Sequence, residues 1–158
     1  MQPVPTGGTE TLADQSASNR KSLSKPKTPH RILVVEDDRD LRRLNTEVLT
    51  HHGYQVDSAE DGALAWERLA DQSYDLMITD NRMPNMTGVE LLRKMHDTSM
   101  ALPTLMATSE VPEVEFRKSP WLEPVAILSK PYTVMELLEK VRKVLGVPTR
   151  AGGASTGS

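Results

Sequence analysis

The chain of 158 residues predicts an α/β fold, a doubly wound five-stranded parallel sheet with helices on both faces. Three observations lead there. Between residues 31 and 146, short β-rich runs alternate with segments of helical period, as βα units do. Three of the runs are uniformly apolar, as strands covered on both faces must be. Carboxylates, a hydroxyl and a lysine follow the runs directly, at the strand ends where such sheets bind ligands.

The first strand is Ile32 to Val35. The helix after it, from about Arg39 to His52, sets Leu41, Leu44, Val48 and Leu49 on one face, with Asp38 as its N-cap and Gly53 as its stop. The second strand, Gln55 to Ala59, leads to a helix carrying Leu64, Ala65 and Leu69. The third, Leu76 to Thr79, leads to one carrying Val89, Leu91, Leu92 and Met95. After the fourth strand, Thr104 to Ala107, the prolines at 112, 120 and 124 leave only Glu113 to Lys118 for a helix, which should be short or distorted. The fifth strand, Ala126 to Leu128, precedes a helix with Val134, Leu137, Leu138, Val141 and Leu145 on its core face. Thr133 and Glu136 form a capping box at its start.

These elements make one domain, residues 30–147. Residues 1–29 and 148–158 are rich in Ser, Thr, Pro and Gly and poor in large apolar side chains, so they are expected to be disordered tails. The first thirty positions carry a charge of plus two, and residues 31–146 carry minus six. An acidic body argues against direct nucleic-acid binding. The absence of cysteine excludes disulfides and thiolate chemistry. No stretch is apolar for the roughly 20 residues a membrane span needs, nor does the start fit a signal peptide. The expectation is a cytoplasmic protein without membrane insertion.

Glu36, Asp37 and Asp38 follow the first strand and Asp80 follows the third. If those strands are neighbours, their carboxylates converge at one rim. Like charges at such distances raise one another's pKa or demand a cation. Oxygen ligands without Cys or His suit Mg²⁺, which commonly binds a carboxylate or two together with a phosphate oxygen. Thr108 and Lys130, at two further strand ends, can each contact a phosphoryl oxygen. Phosphoryl transfer needs mainly positioning and charge stabilisation. Asp80 would then be the nucleophile, forming an aspartyl phosphate.

This order and spacing resembles the receiver domain of bacterial two-component response regulators, over residues 31–146. Val34-Val35-Glu36-Asp37-Asp38 resembles the acidic-pair motif, and the segment from Thr79 to Gly88 resembles the phosphorylation loop. The resemblance implies a flavodoxin-like strand order of 2-1-3-4-5. It implies Asp80 as phospho-acceptor, with Glu36, Asp37, Asp80 and the backbone carbonyl of Arg82 around the metal. Thr108 and Lys130 become the phosphoryl-binding and switch residues, and a cis peptide precedes Pro131. Its implied partners are a sensor histidine kinase or a phosphotransfer protein and a downstream protein target, with self-association through the face of the fourth helix and fifth strand. The resemblance implies a signalling module rather than an enzyme. No DNA-binding or enzymatic output segment is expected after Val147, so the consequence of phosphorylation is expected to pass through protein–protein contacts.

Ile127 stands three before Lys130, where the family usually has an aromatic ring, so the signal is expected to travel by a backbone or loop shift. Arg82 and Glu110 occupy the variable positions flanking the site and are expected to pair over it and prolong the phosphorylated state. A phosphatase of the haloacid-dehalogenase type needs an aspartate where Arg82 stands. A flavin binder needs a phosphate-cradling loop where the three acids stand. The remaining alternative is a receiver-fold binding module acting without phosphorylation.

Overall fold

The computed structural model describes residues 28–147. The expected tails fall outside these residues, apart from Thr28 and Pro29, which are exposed and irregular. Five strands alternate with five helices: β1 Arg31–Val35, α1 Arg39–His51, β2 Gln55–Ala59, α2 Gly62–Asp71, β3 Leu76–Thr79, α3 Gly88–Asp97, β4 Thr104–Thr108, α4 Glu113–Lys118, β5 Ala126–Ser129 and α5 Val134–Leu145. A short 3-10 turn, Pro120–Leu122, links α4 to β5. All pairings are parallel, in the order β2-β1-β3-β4-β5.

Side chains alternate between the faces of each strand, so every strand feeds two cores. Ile32 and Val34 join Leu49 of α1 and Leu137, Leu138 and Val141 of α5 on one side. Leu33 and Val35 join Ala65 and Leu69 of α2 and Leu91 and Met95 of α3 on the other. Each fully buried Leu or Ile contributes about 1.5–3 kcal/mol relative to exposure. This two-sided demand is why the central strands contain no charged residue after Arg31.

The helix ends follow local chemistry. Asp38 accepts from the Leu41 N–H, and Thr87 and Thr133 form capping boxes with Glu90 and Glu136. Gly53, at φ 94°, provides the left-handed residue after α1. The fourth helix is the expected six residues, begun by Pro112 without a side-chain cap. It is anchored through Phe116, which packs with Leu122, Met106, Val89 and Leu92.

Two expected core positions are corrected. Leu44 of α1 is exposed, and the adjacent Asn45 is buried instead, donating from Nδ2 to the Tyr132 hydroxyl at 2.8 Å. The helix is rotated so that this polar pair faces inward. Val134 is also exposed, because it opens the first turn of α5 beyond the covered face.

Candidate functional site

The register sets the site. Val35 pairs with Thr79 and Thr108 with Ser129, so the residues following β1, β3 and β5 emerge along one carboxyl-terminal edge of the sheet. Backbone bonds from Glu36 N to Ala59 O, Asp80 N to Val35 O and Lys130 N to Thr108 O continue the ladders past the strands and hold these residues rigidly.

One oxygen each from Glu36, Asp37 and Asp80 lies within 4.8 Å of the others. Glu36 and Asp80 are buried and Asp37 is exposed. Lys130 reaches across from β5, its Nζ lying 2.8 Å from both Glu36 Oε1 and Asp80 Oδ2. The other Asp80 oxygen accepts the Asn81 N–H at 2.6 Å. Burial pushes the Glu36 carboxyl above its ordinary range, a shift opposed by the Lys130 bond and the Asp38 N–H. Burial would lower the Lys130 ammonium, but its bonds to Asp80 and Glu36 outweigh that and raise it. The ammonium is therefore a fixed positive charge at neutral pH. On the exposed side Asp37 adds its carboxylate, so three acidic oxygens lie close enough together to hold a metal ion.

Thr108 is buried at the end of β4, one residue beyond the expected strand. Its hydroxyl donates to the Glu110 carbonyl at 3.2 Å and accepts the Glu110 N–H at 3.3 Å, tying down the loop before α4. Arg82 Nη1 lies 3.3 Å from Glu110 Oε1, so these two exposed side chains form an ion pair. Ile127 is half-buried against the cluster that contains Phe116. The Lys130–Pro131 peptide is cis.

Sequence reading missed two polar pairs beside the site. Asn45 and Tyr132 join α1 to the segment after Lys130. Asp61 joins the loop after β2 to Asn85 in the loop after β3. Asp61-Gly62 before a helix carries an N-cap signal, but nothing local names its second partner.

The family model for the response regulator receiver domain matches residues 32–142. The receiver protein CpdR of Brucella abortus is 34% identical over 115 residues, covering 73% of this chain and 96% of that protein. The response regulator MprA of Mycolicibacterium vanbaalenii is 35% identical over 80% of this chain, which spans 54% of it. Among solved structures, the chemotaxis protein CheY4 of Vibrio cholerae aligns with a TM-score of 0.69 at 28% identity, covering 75% of this chain and all of that one. The Thermotoga maritima response regulator TrrA, solved with Mg²⁺ and BeF, aligns with a TM-score of 0.64 at 31% identity over 73% of this chain and 99% of that one. The doubly wound sheet and its acidic edge define a CheY-like signalling fold. The chain belongs to the response regulator receiver domain family of two-component systems.

Proposed function

We propose that Asp80 is the phospho-acceptor of this receiver and works with Mg²⁺. The observation that supports the reading is that the Asp80 carboxylate lies within 4.8 Å of the Glu36 and Asp37 oxygens and 2.8 Å from the Lys130 ammonium. In the reaction, an Asp80 oxygen attacks phosphorus, and the P–N bond of a phosphohistidine on the donor breaks. The imidazole leaves with the bond's electron pair and takes up a proton. Lys130 then balances the charge of the new phosphoryl group, and the Thr108 hydroxyl, one residue past the Asp80 level on the neighbouring strand β4, donates to it.

The donor set is all oxygen and largely anionic, which fits Mg²⁺. Glu36, Asp37, Asp80 and the Arg82 carbonyl would hold the ion. It supplies positive charge for the phosphoryl oxygens. Arg82 and Glu110 span the opening to the site and hinder the water that would hydrolyse the acyl phosphate. The donor is a sensor histidine kinase or a phosphotransfer protein in the cytoplasm, and output is binding of a protein target, with self-association through α4 and β5 as one form of it.

Incubation with acetyl phosphate and Mg²⁺ tests the reading. One phosphoryl group should appear by mass on Asp80 and be absent from Asp80→Asn. A wild-type chain that gains no mass, with or without Mg²⁺, would instead be a binding module that works without phosphorylation.

A further inference from the structure

The loop after β2 contributes no residue to the site as proposed, yet it is braced against the loop that does. Asp61 is only 8% exposed, and both its oxygens are engaged. Oδ1 accepts the Leu64 N–H at 2.8 Å and caps α2. Oδ2 accepts from Asn85 Nδ2 at 2.6 Å, 24 positions along the chain. Capping needs one oxygen; the second serves the loop.

Three further features fix that loop. Asn85 sits at φ 68°, a left-handed conformation that Asn tolerates better than most residues. A Cβ on Gly62 would meet the Met86 carbonyl oxygen at 2.6 Å, so only glycine lets the start of α2 touch the loop's backbone. At the loop's other end, Asn81 accepts the Val89 N–H on its side-chain oxygen and the Gly88 N–H on its carbonyl. Arg82 lies between these two anchorages, so the direction of its carbonyl depends on both.

We propose that Asp61 and Asn85 are a positioning pair that holds the phosphorylation loop so that the Arg82 carbonyl faces the cation, which makes the loop after β2 a working part of the cation site. The proposal rests on the Mg²⁺ reading given above. Neither residue touches the ion; each acts through the backbone between Asn81 and Met86. Hydrogen bonds that orient metal ligands in this way are worth about 10–100-fold in affinity when removed. The Leu64 N–H and Asn85 together hold the Asp61 carboxyl below its ordinary range, consistent with an anion engaged at both oxygens.

Three variants separate positioning from capping and from charge. Asp61→Ser keeps a cap but is too short to reach Asn85. Asn85→Gly keeps the left-handed backbone and loses the bond. Asp61→Asn keeps both contacts, with the Asn85 amide flipped, and removes the charge. Titration with MgCl₂ alone, followed by calorimetry, should show Asp61→Ser and Asn85→Gly binding about tenfold more weakly, the double variant no weaker than either, and Asp61→Asn close to wild type. Wild-type affinity in Asp61→Ser, or an equal loss in Asp61→Asn, would overturn the proposal. Hydrogen exchange without metal gives a second readout: amides of Arg82 to Met86 should exchange faster in Asp61→Ser while those of α2 do not, and unchanged exchange would also overturn it. A wild-type chain that binds no Mg²⁺ would refute the cation reading itself, and the exchange result would still decide whether the pair holds the loop.

Discussion

Lys130 and Asp80, 50 residues apart in the chain, meet at 2.8 Å, and the same ammonium meets Glu36 at 2.8 Å. It is the cation that makes two buried carboxylates tolerable. Removing one member of a buried charge pair typically costs about 3–5 kcal/mol, because the partners are left uncompensated. Lys130→Met should therefore lower the free energy of unfolding in urea by about 3 kcal/mol without metal. Millimolar Mg²⁺ should restore part of that loss, and should stabilise the variant more than the wild type. Equal stabilisation of both proteins would show that the ion and the ammonium do not share these carboxylates.

The Arg82–Glu110 pair is built differently. Its side chains are 72% and 71% exposed, so it contributes little to folding, about 0–1 kcal/mol. On the proposed reading its effect belongs to the phosphorylated state, where it would hinder water on its way to Asp80. Arg82→Ala and Glu110→Ala should each shorten the phosphoryl lifetime several-fold with no change in melting temperature. The double variant should decay no faster than the quicker single one. Decay rates followed by loss of the label after removal of donor provide the check, and an unchanged rate in both single variants would refute the gating role.

Asn45 and Tyr132 present the opposite case, a pair whose worth is structural. Asn45 is buried, and burial raises the Tyr132 hydroxyl above its ordinary range against the opposing effect of the Asn45 bond. Tyr132→Phe leaves the Asn45 amide without its partner, which costs about 1–3 kcal/mol. Adding Asn45→Leu removes the stranded group and should recover most of the loss. Urea unfolding of the two single variants and the double variant measures this; an additive double loss would show that packing, not the unmet bond, sets the cost.

These pairs also mark where the sequence could be read and where it could not. Strand ends, capping boxes and the six-residue α4 are written in neighbouring residues, since Thr133 and Glu136, or Pro112 and Pro120, act within a few positions of each other. The acids after β1 and β3 were legible for the same reason. The pairing of Arg82 with Glu110 followed from both flanking the same site. Asn45 was not legible, because its partner is 87 positions away and a helical period shows the width of an apolar face but not a buried amide beside it. The helical period places Leu44 inward, whereas it faces solvent. Asp61 was hidden similarly, as its capping role is local but its bond to Asn85 is made by the fold.

A second polar cluster, at the opposite edge of the sheet, should make stability fall in alkali. Tyr74 donates to Asp57 Oδ2 at 2.6 Å, and Arg31 pairs with the same oxygen at 3.2 Å. Burial, then the bond to Asp57, pushes the Tyr74 hydroxyl up to about 12. The folded protein thus keeps a proton that the unfolded chain loses near 10.0. The sign follows: the contribution is whole below pH 10, and declines between 10 and 12 as only the unfolded state ionises. Wild type should lose more urea stability across that window than Tyr74→Phe, and parallel curves would count against the bond.

If Asp80 is phosphorylated as proposed, the route out of the site should run through α4. The Thr108 hydroxyl makes two bonds to the Glu110 backbone, and the one it donates to the Glu110 carbonyl must break if its proton is to go to a phosphoryl group on Asp80. The helix those bonds precede is six residues long, has no side-chain cap and is held mainly by Phe116. Ile127 packs against the same cluster as an aliphatic residue with no ring to swing. Relaxation should therefore appear in Ser109 to Lys118 and not at position 127. With Mg²⁺ and beryllofluoride, which mimics the phosphoryl group, amides of that segment should exchange several-fold faster, while those of β5 stay constant. Ile127→Val should respond as wild type does, whereas Thr108→Val should not respond at all. A response centred on β5, or one abolished by Ile127→Val, would place the relay in the strand rather than the loop.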